Sequence, residues 1–159
     1  MPNKAKNFNY LNIITQNAHG MKTNHRIHEI SSQIHQNKLF AVCLQETWKN
    51  GDDTFIENEC TFILHGIDRN DDNSRRGKGG VAIVLSKAAR NAWNMAGSTV
   101  HKNFGSRIIA VRLLVKDNSN KDCYLYLVSA YAPIGVADPQ LWDFFLLSLI
   151  HISEPTRPY

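Results

Sequence analysis

Three residues with the chemistry to act on a phosphate each stand just past an apolar run. Asn17 lies in "TQNAHG", Glu46 in "LQET" and Tyr131 in "SAYAP". An amide oxygen and a carboxylate are hard donors, and Mg2+ takes few such ligands while keeping several waters. That ion polarises phosphate oxygens and steadies a leaving oxygen, and a tyrosine hydroxyl can hydrogen-bond the charge that builds in a transition state. Taken singly, each residue has a plainer role. Asn17 suits a turn after a strand, because Asn tolerates left-handed backbone. Glu46 suits a loop, and Tyr131 suits a core with its hydroxyl wet.

The elements that must position them can be read from the apolar pattern. Residues 10–14, "YLNII", read as a strand. In "NHRIHEISSQIHQN", Ile27, Ile30 and Ile34 recur at helical spacing, with Asn24 placed to cap the start. Residues 39–44, "LFAVCL", read as a second strand and complete a β-α-β unit. Such crossovers are right-handed and bring two parallel strands into one sheet, about 4.8 Å apart when adjacent. Asn17 and Glu46 are therefore expected to meet at one sheet edge. Four more strand candidates follow: "CTFILHG", "GGVAIVLS", "RIIAVRLLVK" and "CYLYLVSAYAP". The last two form a hairpin around "KDNSNKD". Asp138 and Pro139 then fit the cap and first turn of a helix running into "QLWDFFLL". Strands with helices outside them indicate an α/β sandwich.

Composition narrows the partners. The 159 residues suit one domain with a single sizeable core. A net charge of +4 fits an anionic partner, nucleic acid first. No run approaches the length of a membrane span, and the start lacks a secretory apolar region. The expectation is an intracellular, unsecreted protein without a membrane partner. Cys43, Cys60 and Cys123 are odd in number and widely spaced, so they read as reduced thiols. His25, His28 and His35 lack further ligands for zinc and read as a solvated helix face, while His19 reads as a loop-surface histidine in preference to one at the rim of the site. "RRGKGG" lacks both the upstream Gly and the Ser or Thr of a phosphate-binding P-loop. Its Arg75, Arg76 and Lys78 are still placed to meet DNA phosphates. Trp48 could stack on nucleic acid or pack its loop onto the core.

Four segments in order, "IITQNAHGM", "FAVCLQETW", "RRGKGGVAIVLSK" and "LVSAYAP", resemble the exonuclease–endonuclease–phosphatase superfamily. They are most similar to the apurinic endonuclease-like domain that opens the polyprotein of non-LTR retrotransposons. The likeness covers residues 11–146. It implies the N-terminal part of a four-layer α/β sandwich, two mixed sheets flanked by helices. It also implies that Asn17 orients metal and phosphate, that Glu46 binds Mg2+ (Mn2+ as a substitute), and that Tyr131 contacts the scissile phosphate. The implied activity is nicking of double-stranded DNA to leave a 3′-hydroxyl that primes reverse transcription. Element RNA would be met only through downstream domains, and the substrate requires access to the nucleus. Abasic-site repair and a non-catalytic DNA- or metal-binding remnant are the alternatives. The family's second half supplies a Gly-Asp-x-Asn motif and an Asp-His pair that activate water. Neither is found in this sequence, so the chain is expected to be inactive, with the C-terminal half of the domain missing. Residues 147–157, "LSLIHISEPTR", resemble a translated sequencing adapter. Residues 1–146 thus read as a partial domain and 147–159 as a non-native tail.

Overall fold

The computed structural model of the protein describes residues 10–67, 79–103, 106–133 and 139–153. Their elements run β1 (Ile13–Asn17), α1 (Asn24–Gln36), β2 (Ala41–Gln45), β3 (Asp52–Glu57), β4 (Cys60–His65), β5 (Val81–Leu85), α2 (Lys87–Met95), β6 (Val100–Asn103), β7 (Ile108–Lys116), β8 (Asp122–Ala130) and α3 (Pro139–Ser153). One sheet has the order β1-β2-β5-β4-β3, the other β6-β7-β8.

Side-chain alternation along the strands builds the layers. Ala41, Cys43, Ile83 and Leu85 point to one face of the first sheet, where they meet Ile109, Val111, Leu113 and Leu127 of the second. Val42, Leu44, Ala82 and Val84 point the other way, onto Ile27, Ile30 and Ile34 of α1. The far side of the second sheet carries Ile108 and Ala110, and Phe145 of α3 covers them. The order is helix, sheet, sheet, helix. This is the expected four-layer α/β sandwich.

Several details depart from the sequence reading. The first strand starts later, because Ile13 pairs with Ala41 and the ladder runs on to Asn17 opposite Gln45. Tyr10, counted in that strand, is instead exposed. Thr23, not Asn24, takes the N-cap of α1, and makes no side-chain cap bond. In the second sheet the pairings among the described residues, β6 with β7 and β7 with β8, are antiparallel. Its strands follow one another as a meander, and the β7–β8 turn is tied by the Asp117 carboxylate. That group accepts from the N–H groups of Ser119 (2.8 Å) and Lys121 (2.9 Å). The first sheet is mixed, since only β1 and β2 are parallel. Finally, α3 runs from Pro139 to Ser153, so it includes residues 147–153 of the stretch read as a tail, and Leu149 packs with the cluster around Phe145. Among the described residues no helix is long and apolar enough to cross a membrane.

Candidate active site

The crossover through α1 brings the C-terminal ends of β1 and β2 together, as their spacing requires. Asn17 is the last residue of β1 and pairs with Gln45, and Glu46 follows at once. The chain there does not simply peel away. Glu46 and Trp48 both take left-handed backbone (φ +53° and +55°), conformations that strain a non-glycine residue and persist only where the surroundings impose them. The surroundings do. On one side Glu46 and Thr47 accept from Gly20 (2.9 Å) and Met21 (2.8 Å). On the other, Thr47 and Trp48 donate to the carbonyls of Gly80 and Gly79, both at 3.1 Å. The segment is held like a short strand between two glycine-bearing loops. A side chain at Gly20 would run into the Trp48 ring, and one at Gly80 into the Thr47 hydroxyl.

Tyr131 arrives from the other sheet. It follows β8, and its N–H bonds the Arg107 carbonyl at 2.8 Å, which fixes it at the same rim. Its phenol donates to Glu46 Oε1 at 2.7 Å. Asn17 Oδ1 accepts from the His19 N–H at 2.9 Å, and the Asn17 side chain also hydrogen-bonds the Glu46 carboxylate. His19 Nδ1 lies 3.9 Å from Glu46 Oε2. The bonds from Tyr131 and then Asn17 hold the Glu46 carboxyl below its ordinary range against a partial burial cost, with a smaller contribution from the nearby His19. Burial, then the hydrogen bond and charge of Glu46, push the Tyr131 phenol up against the opposing pull of Arg107. The pair is therefore a carboxylate held by a neutral phenol.

The three residues singled out by type, Asn17, Glu46 and Tyr131, thus converge. Others were not foreseen. Arg107 braces the Tyr131 segment, donating to the carbonyls of Tyr131 and Ala132 (3.3 Å each), with its guanidinium 5.5 Å from the Tyr131 ring centre. Ser129 is buried and donates to the Leu44 carbonyl at 2.8 Å, while Gln45 Nε2 reaches both Ser129 Oγ (3.2 Å) and Thr15 Oγ1 (3.0 Å). This polar bridge pins one sheet to the other directly under the site. Period-two alternation could have found it, since Ser129 and Tyr131 must share a face. Trp48 packs on Gly20 with its indole N–H buried and unpartnered among the described residues. Arg75, Arg76 and Lys78 lie outside the described residues.

Among the described residues no cluster of three or more His, Cys, Asp or Glu is placed to hold a metal. The oxygen donors that do converge are one carboxylate and one amide. That set fits a hard ion which keeps most of its water. Glu46 Oε2 is the carboxylate oxygen away from Tyr131, whereas the Asn17 oxygen already accepts from its own loop.

No family model matches the chain, and no curated protein matches it. Among solved structures it is similar to the AP endonuclease LMAP from Leishmania major, with TM-score 0.61 and 15% identity over 89% of this chain and 47% of that one. It is similar also to the catalytic domain of Xenopus laevis APE2, with TM-score 0.52 and 16% identity over 88% of this chain and 51% of that one. At such identities the likeness is one of fold: the chain has an AP endonuclease-like fold. It spans about half the length of each of these structures.

Proposed function

We propose that this chain is the metal- and phosphate-binding half of a Mg2+-dependent DNA endonuclease. The observation that carries the reading is the Tyr131–Glu46 bond beside Asn17, which joins two sheets at one rim. Glu46 would hold the ion, which supplies Lewis-acid polarisation of a phosphodiester. Asn17 positions the Glu46 carboxylate and offers its amide to phosphate. Tyr131 keeps its proton and donates it as a hydrogen bond, to Glu46 in the free protein and to phosphate when DNA is bound. Arg75, Arg76 and Lys78 would meet backbone phosphates and set the position of a duplex without reading its sequence. Trp48 would hold the Glu46 loop in place, with one ring face turned to Gly20.

The product would be a nick with a 3′-hydroxyl. The four ordered motifs favour a retrotransposon, in which that hydroxyl primes reverse transcription in the nucleus and downstream domains carry the element RNA. Abasic-site cleavage is the second reading, favoured by the AP endonuclease names of both similar structures. Because the sequence holds neither a Gly-Asp-x-Asn motif nor a water-activating Asp-His pair, the 159-residue chain is expected to bind without cutting. Incubation with Mg2+ and supercoiled plasmid, or a duplex holding one abasic site, tests this. The expected result is no cleavage of either, with Mg2+ binding that Glu46→Gln abolishes. Nicking by the chain that disappears in Glu46→Ala would overturn the inactivity. Unchanged Mg2+ binding in Glu46→Gln would overturn the site.

A further inference from the structure

We infer that His19 is a second metal ligand beside Glu46, and that its imidazole turns the site toward transition ions of the Co2+ and Zn2+ class. The inference rests on the reading that Glu46 holds a divalent ion. Its basis is the placement of His19 Nδ1 3.9 Å from Glu46 Oε2. Two atoms each about 2.1 Å from one ion stand about 3.0 Å apart at a right angle and about 4.2 Å apart when opposite. The observed gap falls within that span. The Tyr131 phenol bonds Oε1 of Glu46, so the oxygen facing His19 is the one that the phenol does not take.

The histidine is also held in position from behind. Its backbone is left-handed (φ +47°), its N–H is bound by the Asn17 side chain, and the next residue, Gly20, donates to the Glu46 carbonyl. The imidazole itself is 74% exposed, free to turn by the small amount that coordination needs. Mg2+ prefers oxygen and gains little from an imidazole, whereas later divalent ions gain much. The carboxylate alone would serve both classes, and the His19 imidazole separates them. A different imidazole–carboxylate pair, His28 with Glu57 at 3.3 Å, lies on the surface away from the site and provides the control.

The test is calorimetric titration of the 159-residue chain with Co2+ and with Mg2+, together with the Co2+ absorption spectrum. Co2+ is expected to bind about tenfold or more tightly than Mg2+. Replacing the exposed His19 with Ala is expected to weaken Co2+ about tenfold, alter its spectrum, and leave Mg2+ within about twofold. His28→Ala should change neither. Equal Co2+ affinity in wild type and His19→Ala would overturn the inference, as would loss of the Co2+ preference in His28→Ala. If Mg2+ binding depends on Glu46 while Co2+ binding ignores His19, only this inference fails. If Glu46→Gln alters binding of neither ion, the metal reading of the site fails with it.

Discussion

Glu46 is the residue on which the site turns, and its protonation state is set by what touches it. The phenol of Tyr131 and the side chain of Asn17 stabilise the charged form, and the partial burial that opposes them is outweighed. One hydrogen bond to a charged acceptor contributes about 1.5–3 kcal/mol. Tyr131→Phe is thus expected to lower the urea-unfolding free energy by about that much near neutral pH. The sign with pH follows from linkage. Folding depresses the Glu46 pKa, so the stabilisation is present above the ordinary 4.5 and lost as pH falls through the folded value. The gap between wild type and Tyr131→Phe should therefore shrink near pH 3. A gap of equal size at both pH values would mean that the phenol acts through packing, not through the carboxylate.

At the level of elements, the site depends on three loops that share backbone bonds: residues 18–21, 46–48 and 79–80. Gly20 is left-handed (φ +94°) and lies directly under the Trp48 ring. Gly20→Ala is expected to cost about 2 kcal/mol, from strained backbone and a displaced indole together, and to shift the tryptophan emission of the folded state. Urea unfolding followed by fluorescence checks both, and an unchanged midpoint and spectrum would refute them. Much of this framework was legible in the sequence. The β-α-β unit, the β7–β8 hairpin and the meeting of Asn17 with Glu46 all follow from apolar runs that alternate or repeat as isolated elements would. What was illegible lacked such runs. β3 is an edge strand whose "DDTFIE" is mostly exposed, so no hydrophobic pattern marks it. α2 spans only nine residues, and its clearest signal was Ser86, whose side chain accepts from the Ala89 N–H. β6 is four residues long and leans on its neighbour β7. The phenol-to-carboxylate bond was beyond sequence reasoning, because nothing in a linear pattern says how far one sheet slides over another.

For the whole molecule, the unevenness of its cover stands out. α3 lies over Ile108 and Ala110 but not over the far end of the second sheet, where Tyr124 and Tyr126 of β8 are exposed. β8 is an edge of that sheet among the described residues, and α3 itself turns Phe144, Leu146, Leu147 and Ile150 to solvent. Open edges and contiguous apolar surface promote association and loose packing. The chain is expected to bind a hydrophobic dye when folded, to unfold over a broad range of urea, and to scatter light increasingly with concentration. Tyr124→Lys with Tyr126→Lys should reduce the scattering. A sharp cooperative transition without dye binding would contradict this account. The bond between Glu46 and Tyr131 also imposes an order in time. The two residues are 85 positions apart in sequence, so a chain emerging from the ribosome exposes the acid well before its partner has been synthesised. Until that stretch is translated and has docked, the growing polypeptide is without its phosphate-facing pair.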